Sequence, residues 1–254
     1  MHLLKIRYTR PIICLTRIIA GRDTMNRTIG LFITISGLIL CLTGLADATI
    51  RWDLSGRGDW DYDDYWIGGE PTDYSETSIR WGNPVVTLPG EVSGELWITG
   101  HYGSHPRLDI ESGKLSVGQT LHVGGSGIGN LIMAGGSLSA HDIWLGAGES
   151  ASAYGYFQLD GGTVNATDFI AVGWGNADIV QSGGSVTTRE LTLHHWYSNA
   201  SGSTYEMSGG ALDVRHFSIK KSQSGGAGHL DIQNDEVDIV VREWLTVEDG
   251  ARLS

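Results

Sequence analysis

The sequence predicts an all-β solenoid, a single-stranded parallel β-helix of right-handed sense with three short strands in each coil of about 22–26 residues. Three observations predict it. Gly supplies 37 of the 254 residues, about twice its usual share, and counts against helical packing because each Gly inside a helix costs about 1 kcal/mol relative to Ala. A glycine-centred corner element recurs, so that Gly113, Gly136, Gly162, Gly184 and Gly210 stand 23, 26, 22 and 26 residues apart, and Asp235 extends the series by 25. Apolar residues then keep fixed offsets from this ruler, copy after copy.

The chain opens with residues 1–24, which carry no clear pattern and read as a start called too early, with Met25 the true initiator, or as an extended leader. Residues 25–48 read as a secretory signal peptide: Asn26-Arg27, an apolar run from Ile29 to Leu45, then Ala46-Asp47-Ala48 as the cleavage site. The same run reads alternatively as an uncleaved membrane anchor. Cleavage removes both cysteines, six of the 17 Lys/Arg and two of the 29 Asp/Glu, leaving 11 basic and 27 acidic residues, a net charge of −16. The mature chain is then exported, free of cysteine and without a membrane span. Its acidity excludes binding to nucleic-acid backbones, which requires a basic face.

Residues 49–84 form an aromatic cap segment containing Trp52, Trp60, Trp66 and Trp81. An end of a β-helix exposes unpaired backbone and an open core, and bulky rings here are placed to plug it.

Residues 85–254 supply the coils. Five residues before the ruler stand Leu108, Leu131, Phe157, Ile179, Tyr205 and Leu230; three before it stand Ile110, Met133, Leu159, Gln181, Met207 and Ile232. Two after it stand Leu115, Leu138, Val164, Val186, Leu212 and Val237; four after it stand Val117, Ala140, Ala166, Thr188, Val214 and Ile239. A third pair per copy follows, such as Ile143 with Leu145 and Phe217 with Ile219, closing on Leu245 with Val247. Each pair alternates with polar or small residues, the pattern of a strand with one buried face. Gly113, Gly136, Gly162, Gly184 and Gly210 turn the corner between the first strand and the second. Seven or eight coils at about 4.8 Å make a prism of roughly 35 Å. The series extends backwards to Gly90, with Val85 ahead of it and Val92 behind. Gln181 and Thr188 are polar at inward positions, so either neighbouring backbone satisfies them or the register shifts locally. A β-sandwich is the rival architecture, but it does not explain recurring offsets.

The opening segment carries a resemblance. Gly58-Asp59-Trp60, Tyr65-Trp66-Ile67-Gly68-Gly69-Glu70-Pro71, Asp73 through Ile79 and Val85-Val86-Thr87-Leu88 resemble the start of secreted planctomycete-type proteins, in which a Trp-containing segment precedes glycine-rich β-helix repeats. The repeats are similar to the autotransporter-associated β-strand repeat. The resemblance implies export and fold; members often end in a PEP-CTERM sorting signal or a surface anchor. Tyr65 stands where Asn is usual, and the chain stops at Leu253-Ser254 in mid-coil, which reads as a truncation with any anchor beyond it.

Candidate chemistry is sparse. Polysaccharide lyases and glycosidases on this fold need clustered carboxylates. On the outward side of the second strand only Asp213 and Asp238 are acidic, one coil apart and placed to face each other. Asp59, Asp61, Asp63 and Asp64 offer carboxylates for calcium, set against a plain solvated acidic loop. Trp174, His194, His195, Trp196 and Tyr197 gather on the corner after the third strand, where the repeats vary in length and exposed rings stack on sugars or else cover the core. No nucleophile elbow, P-loop or dinucleotide fingerprint is present, so no catalytic residue is assigned. The expectation is an exported, non-enzymatic structural or adhesive protein of the cell surface or matrix, with polysaccharide or other surface components as partners. The alternative is a β-helix that binds or cleaves carbohydrate through its corner loops.

Overall fold

Alternating inward and outward side chains lay each repeat down as one coil of a parallel β-solenoid. The computed structural model describes residues 50–68, 71, 76–88, 91–101, 103–148, 152–173, 175–194, 202–221, 225–234 and 236–254. These residues are about two-thirds strand (65%), stacked into about 7 turns, with one short 3-10 turn at Asp63–Tyr65 and no α-helix among them. No described helix is long and apolar enough to cross a membrane.

Two sheets form the walls. A nine-stranded sheet takes one strand per coil, including Arg107–Ile110, Ile128–Met133, Tyr154–Leu159, Asn176–Gln181, Gly202–Met207 and Ala227–Ile232. An eleven-stranded sheet takes the longer strands Lys114–Val123, Ser137–Leu145, Thr163–Val172, Ser185–Leu193, Gly210–Ile219 and Val237–Val247. In the first coil the second and third strands stay separate as Glu91–Ser93 and Glu95–Ile98, whereas in the later coils they run on as one strand of nine to eleven residues with a bend. The bend between them is absorbed by a register shift rather than a break. Ala140 pairs with Ala166, but the next pair is Asp142 with Phe169.

The predicted rows are the observed ladders. Leu108, Leu131, Phe157, Ile179, Tyr205 and Leu230 pair in succession. Leu115, Leu138, Val164, Val186 and Leu212 do the same in the other sheet. All of these side chains are buried in one continuous core. Both ends depart from the ruler. In the last coil Ile239, not Val237, lies opposite Leu212, a slip of two residues, although Leu245 and Val247 sit opposite Phe217 and Ile219 as expected. In the first coil Val85 pairs with Asp109 rather than Leu108, and Val92 with Ser116 rather than Leu115, a slip of one.

The glycine corner is a column of close approaches. At Gly162 the backbone has φ +86°, and a Cβ there would lie 2.6 Å from the carbonyl oxygen of Gly136 in the coil before. That same oxygen accepts the Thr163 N–H at 3.1 Å, so the space is taken by the hydrogen bond joining the coils. Gly113 is the exception in conformation, with no left-handed φ, but a Cβ would still meet the Leu88 carbonyl at 2.5 Å.

Gln181, fully buried, is satisfied without a change of register. Its amide donates to the carbonyl of Ala211 at 3.2 Å, and the phenol of Tyr205 donates to its side-chain oxygen. Thr188 donates to the Glu190 carbonyl at 3.2 Å. Burial pushes the Tyr205 phenol well above its usual range, so it stays a donor.

At the N-terminal end, Trp52, Trp60 and Trp66 are buried and meet edge to face, with centroids 5.0 Å apart for Trp52–Trp66 and 4.8 Å for Trp60–Trp66. The Trp66 indole donates to the Trp60 carbonyl at 2.7 Å. The pair Trp66–Ile67 lies antiparallel against Ile50–Trp52 and closes that edge of the sheet.

Two outcomes follow. Tyr205→Phe leaves the Gln181 oxygen buried and unpaired and should lower unfolding free energy by about 1–3 kcal/mol; adding Gln181→Leu should cost less than the two single changes summed, read by urea denaturation of the cycle. Gly162→Ala should cost about 1–3 kcal/mol or more, from left-handed strain plus collision with the coil before, while Ala at exposed Gly56, where nothing lies within 4 Å, should cost far less.

Candidate functional site

On the outer face of the nine-stranded sheet, alternation turns Tyr154, Tyr156, Asp178, Thr204 and His229 away from the core. Their strands pair so that Tyr156, Asp178, Thr204 and His229 form one outward row, and Tyr154 pairs with Asn176 beside it. Here a cleft of about 450 Å³ opens, lined by Tyr154, Asn176, Asp178, Gly202 and Thr204. Gly202 contributes no side chain, which leaves the floor open between the phenol and the hydroxyl.

The polar groups are tied to one another. The Tyr154 hydroxyl donates to Asp178 Oδ2 at 2.7 Å. Burial, then that hydrogen bond and the charge of Asp178, raise the Tyr154 phenol well above its usual range. Tyr156 is raised as well, first by burial and then by Asp160, Asp178 and Glu206. Beyond the cleft, Gln158 donates to Asp160 at 2.6 Å and Ser182 donates to the same carboxylate at 2.7 Å. The face is a lattice of phenols, hydroxyls, amides and carboxylates repeating at the strand spacing of about 4.8 Å. Such groups can exchange hydrogen bonds with hydroxyl-rich ligands. Asp178 is the one carboxylate among the described lining residues, with Asp160 and Glu206 near it on the same face.

The residues expected to carry function fall as follows. His194 is fully buried, with φ 63° and its N–H donating to the Val172 carbonyl at 2.6 Å, so its imidazole is part of the interior rather than a binding surface. Trp174, His195, Trp196 and Tyr197 lie outside the described residues. Asp59, Asp61, Asp63 and Asp64 are exposed, and their carboxylates do not belong to a group of three ligand atoms within 4.8 Å among the described residues.

Asp213 and Asp238 do not face each other. Asp213 pairs with Val240 and Asp238 with Ala211, a consequence of the two-residue slip. Arg242 grips Asp213 with two nitrogens and holds its carboxyl below the usual range.

Aromatic rings also project from the eleven-stranded sheet, but in pairs. Trp97 stacks on His122 at 3.6 Å and His216 on Trp244 at 4.5 Å, so each ring spends one face on its neighbour. Burial lowers the His122 imidazole despite its contact with Glu95.

The raised Tyr154 phenol fixes the sign of an alkaline effect. The unfolded chain releases this proton near pH 10.0 and the folded chain later, so stability is intact below that value and falls as pH rises through it. Urea midpoints should therefore drop above about pH 10, and less steeply in Tyr154→Phe. Compared with family models, with curated proteins and with solved structures, the chain matches none.

Proposed function

We propose that this is an exported, non-enzymatic β-solenoid that acts as a structural or adhesive module of the cell surface or extracellular matrix and holds polysaccharide on its nine-stranded face. One observation carries the reading: a cleft with one carboxylate, an amide, a phenol and a hydroxyl, in which the phenol is hydrogen-bonded to the carboxylate, on a face of outward polar side chains. That set offers donors and acceptors suited to hydroxyl-rich chains. A chain of sugar rings laid across the coils would meet similar polar groups on successive strands.

Export is supported by the basic, apolar and Ala46-Asp47-Ala48 segments of residues 25–48, and by the likeness of the Trp-containing opening to secreted planctomycete-type, PEP-CTERM-bearing proteins. An acidic mature surface disfavours acidic glycans and favours neutral ones.

Affinity electrophoresis against neutral and acidic polysaccharides checks this. Retardation by neutral polymers is expected, with Asp178→Asn and Tyr154→Phe each weakening it about three- to tenfold, as loss of one hydrogen bond in a polar cleft implies. No reducing ends should be released on prolonged incubation. Release of oligosaccharides, or binding indifferent to both substitutions, would overturn the reading.

A further inference from the structure

The corner where the two halves of each long strand meet holds a second constellation. At this bend the coils contribute unequal numbers of residues. His141 alone spans the gap between Ala140 and Asp142, while Thr167 and Asp168 together span the gap between Ala166 and Phe169. In the following coil Arg189 spans it alone, between Thr188 and Glu190. The unequal count swings Asp168 towards His141 on one side and Arg189 on the other.

We propose that His141, Asp142 and Asp168 form a site for a divalent transition-metal ion of the zinc class. One ligand atom from each lies within 4.8 Å of the others. His141 Nδ1 is engaged with Thr167 Oγ1 at 3.0 Å, which fixes the ring and turns Nε2 to within 4.0 Å of Asp168 Oδ2. Metal-binding imidazoles are oriented in this way by a partner on the far nitrogen. Arg189 Nε holds the other oxygen of Asp168 at 2.5 Å, leaving Oδ2 for the ion.

The independent pointer is Asp142. Its Oδ1 is shut off from solvent and has no hydrogen-bond partner. A buried carboxylate oxygen without a donor is costly, and a cation bound by this carboxylate lowers that cost. His141 is more than half exposed, so an ion has a route in. The donor set decides the class. Calcium takes six to eight oxygens, whereas one imidazole with two carboxylates suits zinc, with solvent completing the shell. This site is separate from the polysaccharide-binding cleft and does not depend on that reading.

Isothermal titration of the chelator-treated protein with zinc chloride tests it. One ion per chain is expected, with affinity lowered at least tenfold in His141→Ala and in the isosteric Asp142→Asn, and unchanged in His216→Ala, a second histidine–carboxylate contact on the same sheet. Cobalt(II) should bind in place of zinc and give visible absorption bands that Asp142→Asn removes, and circular dichroism of each variant checks that the fold is retained. Absence of saturable binding would refute the site. So would binding that needs His141 but ignores Asp142→Asn, which marks adsorption to a surface histidine. Calcium chloride displacing the cobalt bands at equal concentration would overturn the assigned metal class.

Discussion

Each coil must lie on the one before it at the separation of hydrogen-bonded strands, about 4.8 Å, and nearly every other feature answers to that requirement. It fixes what can stand above what. A residue in the wall sees its counterparts one coil up and one coil down before it sees anything else, so the core is built as rows such as Leu115, Leu138, Val164, Val186 and Leu212. It also explains the glycine column. Where the chain turns with its carbonyl aimed at the next coil, no side-chain atom fits between the two backbones.

The same spacing brings outward side chains into lines, and charge in such lines must be managed. At the bend of the long strands the solution is alternation and pairing: Asp168 with Arg189, Glu243 with Arg215 and His216, Asp213 with Arg242. Individually these exposed pairs contribute little stability, on the order of 0–1 kcal/mol. Their effect is to keep the bend from gathering charge of one sign and to engage carboxylates that would otherwise be free for chemistry. On the nine-stranded face Arg107 pairs with Asp109 near the N-terminal end, and farther along hydroxyl and amide donors engage Asp178 and Asp160, where a cleft opens.

How much of this was legible follows from periodicity. Rows of inward residues were readable because period-two alternation and a constant ruler reinforce each other through the interior coils. At the ends the ruler has one neighbour instead of two. The last coil slipped by two residues and the first by one, and the supposed confrontation of Asp213 with Asp238 went with the slip. The joining of the second and third strands was hidden because a bend with a register shift leaves the same spacing as a true corner. Tyr154, Asn176, Asp178 and Thr204 were missed as a site. Outward positions carry no hydrophobic signal, yet Tyr156, Asp178, Thr204 and His229 all stand six residues before the ruler, and the same arithmetic applied to the first strand's outer side would have aligned them. The placement of His141 against Asp168 was beyond such reading, since it depends on how many residues each coil spends at the bend.

A solenoid of similar coils faces a degeneracy that globular folds escape. Aliphatic rows match almost as well when a coil is skipped, so a nascent chain has near-equivalent ways to stack and weak grounds for choosing. The buried contact of Gln181 with Tyr205 breaks the tie. If the coil beginning at Gly202 looped out and the next one docked in its place, Leu230 would occupy the position of Tyr205 and the amide would be sealed in without its donor. One polar pair thus gives the stack an address at its middle, distinguishing the correct succession of coils from its close imitations during folding.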